Sequence, residues 1–448
     1  MRRTLSLLLG LQEVLRKRLS VLVVMAAIGG GLLLVGAAGS KVQASQPEHS
    51  TGDSSNYFAH QQGHKGKGHN DGLDPALQNK LQAAFEKSFR DSGAPGAIVA
   101  VRTPEGTWVS ARGVADLSSG EPMKPEMYHR IGSVTKTFTA TLLLQAEAQG
   151  RLSLDDTIDQ YVKGVPNGDE ITLRQMADMT SGIADYSVED EVFSHPERVW
   201  TPQEVVRIGI EDSPMFDPGT EWFYSNTNYV LLGLVLEQVT GKPLERLYSK
   251  QIIKPLHLKE TSFPDAADSS IPDPHAQGYV LQSQNAEPLN ATDWNPSWAW
   301  AAGGMISTAE DMLLYGRALG TGKGLLPPQQ QAERLDSFVR DLPPYNQPPS
   351  NGRSGYGLGL MYDRGWLGHG GDIPGYNTQL FYHPDLDATV VVEVNSDIAA
   401  GGNCPQGIPT LKDGPKDVPC DIPAPRIFRA LAEALGKPAV PNPYEETP

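Results

Sequence analysis

The hydrophobic pattern changes period along the chain, and each change marks an element. "PALQNKLQAAFEKSFRDSG" from Pro75 repeats apolar residues at helical spacing, with Asp74 ahead of Pro75 and Gly93 past its end. Two strand-like runs follow, "GAIVAVRT" and "TWVSARGVAD", joined by a Pro-Glu-Gly turn. "IGSVTKTFTA" then opens a helix with Ser133 as its N-cap and Val134, Phe138, Leu142 and Leu143 at roughly helical spacing, ending near Gly150. From about 151 to 300 the pattern is mostly helical and broken by Pro and Gly, clearest in "TLRQMADMTSG", "TPQEVVRIGI" and the long run from Asn228. "STAEDMLLYGRALGTG" predicts a helix with Ser307 as cap and Glu310 in the capping-box position. Residues 341–353 read as a loop. "YGLGLMYD", "GWLGHGG", "YNTQLFYHP" and "DATVVVEVNS" read as strands, and "PRIFRALAEALG" as a last helix.

Strands at both ends with helices between them predict an α+β fold, in which distant segments complete one sheet around an inserted helical subdomain at about 151–300. The folded domain is expected over 75–436, with 437–448 as a frayed tail.

The N-terminus adds a compartment. Arg2, Arg3, Arg16, Lys17 and Arg18 precede nineteen uncharged residues, Val21 to Gly39, and Val42 and Ala44 suit the −3 and −1 positions of a signal-peptidase site. Residues 1–44 therefore read as a signal peptide, or alternatively as a retained signal anchor; either places the rest outside the cytoplasm. The expected location is secreted or extracytoplasmic, with membrane contact only through that segment. Residues 45–74 are polar, Gly/His-rich and aperiodic, the pattern of a flexible linker.

The 448 residues carry a formal charge of −16, which argues against a nucleic-acid grip. Cys404 and Cys420 lie in one Gly/Pro-rich segment, where a single bridge is plausible in an exported chain; with no His or Cys companions they make no zinc pattern. No glycine-rich phosphate loop and no metal-ligand signature occur, so neither cofactor nor metal is expected.

Lys136 is the odd residue. Three positions after a helix start, a cation faces the positive end of the helix dipole, where Glu or Gln would stabilise. The same position lies on one helix face with Ser133, so a desolvated Lys136 can take the serine's proton while first-turn N–H groups face an oxyanion. S-x-x-K occurs only at Ser133. Two later motifs complete a constellation: Tyr224 and Asn226 in "YSNTN", and His369, Gly370 and Gly371 in "GHGGDIPGY". Tyr224 is a candidate phenolate-like base or proton shuttle, and Asn226 a candidate for orienting a substrate carbonyl. The glycines let substrate approach a strand edge, and His369 is placed with them at the substrate, where it can help hold the shared proton network.

Ordered S-x-x-K, Y-x-N and [KH]-x-G motifs resemble the penicillin-recognising serine hydrolases: class C β-lactamases, D-Ala-D-Ala carboxypeptidases and related esterases and aminopeptidases. "DSGAPGAIV", "HRIGSVTKTFTA", "YSNTNYVLLG" and "SWAWAAGGMIST" are most similar to the secreted actinobacterial D-Ala-D-Ala carboxypeptidases. The resemblance implies a five-stranded antiparallel sheet flanked by helices, with the serine at the junction with the helical subdomain. It implies acylation of Ser133, with Lys136 and Tyr224 relaying the proton. Asn226 would bind the substrate amide, backbone N–H groups of Ser133 and Asp372 would form the oxyanion hole, and Trp298 would lie near the cleft.

One departure bears on substrate. Carboxypeptidases of this kind have His-Thr-Gly-Thr, whose hydroxyls help hold a terminal carboxylate; here the positions are His369, Gly370, Gly371 and Asp372. An anionic substrate end would be repelled unless Asp372 points away or a cation such as Arg364 or Arg353 compensates. The leading expectation is an exported D-Ala-D-Ala carboxypeptidase-type acyl-serine hydrolase acting on a small peptide. An esterase or β-lactamase on the same machinery is the alternative, and a catalytically silent penicillin-fold binding protein the third reading. No G-x-S-x-G elbow supports an α/β-hydrolase.

Overall fold

A computed structural model describes residues 70–283, 286–339, 354–405 and 408–439. The signal segment, most of the linker, Arg353 and the last nine residues lie outside them.

In chain order the elements used below are β1 (Asn70–Asp71), α1 (Pro75–Ser92), β2 (Gly96–Thr103), β3 (Gly106–Gly113), α2 (Thr135–Ala148), α3 (Asn226–Thr240) and α4 (Ala309–Thr321). Then come β4 (Ser354–Tyr356), β5 (Met361–Asp363), β6 (Trp366–Ile373), β7 (Tyr376–His383), β8 (Ala388–Val394) and α5 (Pro423–Ala434). The strands form one antiparallel sheet in the order β1-β3-β2-β8-β7-β6-β5-β4. The five expected strands are its long centre, β3-β2-β8-β7-β6. The other three lie toward the two ends of the sheet and have two or three residues each, too short to show a period in sequence.

Two of those short strands come from "YGLGLMYD", expected as a single strand. Gly357 donates its N–H to the Leu360 carbonyl (2.9 Å), which folds the run into the β4–β5 hairpin. β1 lies within the stretch expected to be linker and pairs with Thr107 and Trp108.

β8, "ATVVVEV", is buried along its whole length because both faces of the sheet are covered. Val390, Val392 and Val394 join Phe85 and Phe89 of α1 with Ile427, Phe428 and Leu431 of α5 in one apolar layer. Val391 faces the other way, into a second core with Phe138 and Leu142 of α2 and Met312 and Leu319 of α4. Each such side chain contributes about 1.5–3 kcal/mol by leaving water.

Two helix starts differ from expectation. The cap of α4 is Thr308, whose hydroxyl accepts from Asp311 N–H, while Ser307 pairs in a short strand with His129. Ser133 does not cap α2: it sits in a tight turn, Gly132–Val134, that runs into the helix without a side-chain cap. Pairing and chemistry, respectively, claim these two serines. Between α2 and α4 the regular elements are mostly short helices joined by long loops, so the stretch is less helical than its pattern suggests; Leu173–Ala177, Pro202–Glu211 and α3 are its main apolar elements. Cys404 and Cys420 are joined in the segment between β8 and α5.

Candidate active site

The Gly132–Val134 turn meets β6 at very short range. Gly132 has φ of 50°, and a Cβ placed on it would stand 2.8 Å from Asp372 N. A Cβ on Gly371 would stand 2.0 Å from the Ile131 carbonyl oxygen. Only glycine fits either position, and the reward is backbone of Ser133 and backbone of Asp372 on one side of the same cleft. Ser133 is partly exposed there, whereas every residue of α2 up to Leu144 is buried.

Lys136 is fully buried and its Nζ has three neighbours: Ser133 Oγ (2.9 Å), Asn226 Oδ1 (2.6 Å) and the Ala302 carbonyl oxygen (2.8 Å). The amide of Asn226 is oriented by its other end, where Nδ2 donates to Ser187 Oγ (2.9 Å) and Asp185 Oδ2 (3.2 Å). Asn226 Oδ1 and the Ala302 carbonyl can only accept, so they take two N–H bonds. A neutral amine then has its lone pair left for Ser133. Burial supplies that neutral amine by bringing the Lys136 pKa down to about 7, against the opposing charge of Asp185.

Tyr224 lies beside this cluster, its ring centroid 4.9 Å from Lys136 Nζ. Burial raises its pKa well above the ordinary phenol value, with Ser133 acting in the opposite direction. Burial therefore disfavours the phenolate-like base considered from sequence and favours a neutral hydroxyl able to pass a proton.

His369, expected at the substrate, has no exposed surface. Its Nε2 pairs with the Tyr356 hydroxyl at 3.0 Å and its ring lies 6.2 Å from that of Tyr224, so it stands behind the tyrosines. Burial, with Lys136 nearby, brings its pKa to about 3 and keeps it neutral. Gly370 and Asp372 are partly exposed on β6, and Gly371 is buried against the serine turn. The Trp298 carbonyl accepts from Tyr186 Oη (2.6 Å), and its half-buried ring meets Phe193 edge-on, 4.9 Å between centroids.

Asp185, Ser187, Ala302 and Tyr356 were not found by sequence reasoning. Ala302 lies in "SWAWAAGGMIST", already singled out as a segment. Asp185 and Ser187 offer only a D-x-S turn pattern, which is common in loops. Arg364 does not reach Asp372: it precedes β6 at the far end, eight residues away or roughly 20 Å or more along the strand, and donates to the Ala439 carbonyl. Among the described residues no group of three or more His, Cys, Asp or Glu could hold a metal ion.

The arrangement suits acyl transfer: a serine hydroxyl, a buried amine beside it, a phenol and a glycine-lined strand edge. The family model described as "Beta-lactamase" matches residues 81–404, which spans all three motifs. The chain belongs to the Beta-lactamase family. As a family member it resembles a D-stereospecific amidohydrolase from Streptomyces sp., at 35% identity and a TM-score of 0.63, over 72% of this chain and 95% of that one. A D-amino acid amidase from Ochrobactrum anthropi SV3, complexed with L-phenylalanine, is 26% identical, with a TM-score of 0.61, over 72% and 91%. Protein flp of Staphylococcus aureus (strain COL) is 27% identical over 325 residues, 71% of this chain and 63% of that protein. This Beta-lactamase-family chain thus spans somewhat less than two thirds of that curated relative.

Proposed function

We propose that the protein is an exported amide-cleaving serine hydrolase that acts through an acyl-enzyme on Ser133. The single observation that carries the reading is Lys136, buried, brought to a pKa of about 7 and hydrogen-bonded so that its lone pair faces Ser133.

Neutral Lys136 takes the Ser133 proton as Oγ attacks the substrate carbonyl. The oxyanion that forms accepts from the backbone N–H groups of Ser133 and Asp372. Collapse breaks the C–N bond, and the proton passes from Lys136, by way of the Tyr224 hydroxyl, to the leaving nitrogen. Water then attacks the acyl ester, the same groups carry its proton back to Ser133 Oγ, and the acid leaves. An ester or a β-lactam can enter the first step in the same way.

Small amides with a D-configured residue are the favoured substrates. Two considerations support this over the narrower D-Ala-D-Ala carboxypeptidase reading: the likeness to the Streptomyces amidohydrolase, and a carboxylate at Asp372 in place of a hydroxyl. Export rests on the basic, apolar and V-x-A pattern of residues 1–44.

The test is one preparation assayed against a D-amino acid amide, a D-Ala-D-Ala peptide, a short-chain ester and a β-lactam, with Ser133→Ala alongside. Ammonia release from the amide, lost in the variant, is expected. Turnover of the dipeptide without the amide selects the carboxypeptidase reading, and turnover of the ester alone selects an esterase.

A further inference from the structure

Away from Ser133 the chain builds a basic face. After α3, an α turn (Leu244–Tyr248) runs directly into a π turn (Ser249–Ile253). Leu244, Leu247, Tyr248 and Ile252 are buried on its inner side. Cations recur at every fourth position of the outer side, Lys242, Arg246, Lys250 and Lys254, the last three exposed. The helix dipole favours cations in a last turn, which suits Lys250 and Lys254. It opposes Lys242 and Arg246 at the first turn, so helix stability does not explain the stripe.

Two more cations arrive from distant segments. Gln251 accepts from the side-chain amides of Gln145 and Gln149 at the end of α2 (3.4 Å each), and Gln149 accepts from Arg151 (2.9 Å). Leu256 reaches the turn after α4, where a Cβ on Gly324 would stand 3.3 Å from it. Arg151 and Lys323 are both exposed. None of the six cations is ion-paired with a described residue. Acids nearby are engaged: Asp387, on which the Lys323 charge acts, is held through both oxygens by Arg317, and Glu237 accepts the Leu244 N–H. Between positions 242 and 254 the one acid is Glu245. In a chain of net charge −16, this concentration of unpaired positive charge complements a polyanionic surface.

Placement selects the surface. Arg151 follows the far end of α2, about 20 Å from Ser133 at the helix's start. The serine turn abuts Gly371, whose row across the sheet passes through Thr378 and Glu393. Asp71 of β1 lies in the row through Thr107, Arg102 and Thr389, roughly 13 Å away along β8. The chain preceding Asn70, with its apolar run Val21 to Gly39, therefore joins the domain on the side of Asp387 and Lys323, away from Ser133.

We propose that the 242–254 face, with Arg151 and Lys323, docks on a bilayer of anionic phospholipid and turns the Ser133 cleft away from it. Docking is independent of whether residues 1–44 are cleaved and of which bond Ser133 attacks. Each cation strengthens contact with such a bilayer roughly fivefold, so reversing three removes it.

The experiment binds the full chain to vesicles of phosphatidylcholine, alone or mixed with phosphatidylglycerol, and reads lysine acetylation rates by mass spectrometry. The apolar segment can hold the chain on either vesicle, so the difference between them isolates charge. Lys250, Lys254 and Lys323 should react at least fivefold more slowly on the anionic vesicles at about 0.1 M salt, and equally on both at about 1 M. Lys87 and Lys124, exposed elsewhere, should not change. The triple variant Arg246→Glu, Lys250→Glu, Lys254→Glu, folded by circular dichroism, should lose the protection of Lys323. Equal rates on the two vesicles in wild type overturn the proposal without recourse to the variant, as does protection of Lys323 retained in the folded variant. Protection by soluble polyphosphate but not by anionic vesicles overturns it in favour of a polymer partner.

Discussion

Asn226 Oδ1 lies 2.6 Å from Lys136 Nζ, and the opposite end of the same amide is anchored on Ser187 and Asp185. The asparagine thereby decides which way the lysine's lone pair points. Replacing Asn226 by Asp puts a negative charge against the amine and favours its protonated form. The alkaline-rising limb of acylation should move to higher pH, read from a pH profile of covalent labelling by a labelled penicillin.

With neutral Lys136 as the proposed base, that limb should have its midpoint near pH 7 in the wild-type protein, because burial brings the lysine's pKa down to about 7. The rate rises as pH rises, since the amine loses its proton in that direction. Asp185 works against this depression, so Asp185→Asn should move the midpoint to lower pH. His369, with a pKa of about 3, contributes nothing to the profile between pH 5 and 9. A midpoint unmoved in both variants would contradict the assignment of the limb to Lys136.

Ser133→Ala should abolish covalent labelling. Lys136→Ala and Tyr224→Phe should lower the acylation rate by roughly 10²–10⁴ each, the usual range for a general base or proton shuttle. Tyr224→Phe keeps the ring beside Lys136, so its loss isolates the hydroxyl. Stopped-flow acylation rates distinguish these outcomes.

Gly371→Ala places a methyl group 2.0 Å from the Ile131 carbonyl and 3.4 Å from Ser133 N. The serine turn must move away from β6, and a displacement near 1 Å costs about a hundredfold in rate. Acylation should fall by that factor or more while circular dichroism stays that of the folded protein.

Phe428 stacks on Phe381 at 4.6 Å and meets Trp366 edge-on at 5.4 Å, on the sheet face away from Ser133. Phe428→Ala should cost about 3–5 kcal/mol. Chemical denaturation checks the loss, and the pH midpoint of acylation should remain where it was.

The chain itself announces much of this. The helix over Pro75–Ser92, with Asp74 and Gly93 at its ends, appears as its pattern predicts, as do the long strands β2, β7 and β8. These are cases where period, caps and turn residues agree over eight or more positions, or nearly so. The short edge strands and the break in "YGLGLMYD" were hidden, because two or three residues carry no period and their pairing depends on a partner far away in sequence.

At the site, residue types and spacing singled out the candidate nucleophile and the candidate base, since Ser133 and Lys136 are one helical turn apart and their chemistry is local. What only tertiary structure decided is the state of each group. Neutrality of Lys136 needs burial, and its lone-pair direction needs Asn226 and Ala302, 90 and 166 residues away. The retreat of His369 behind Tyr356 likewise comes from segments that only the folded sheet brings together. Desolvation and charge are set by every neighbour in space, so a linear motif carries the identity of a catalytic group but not its protonation.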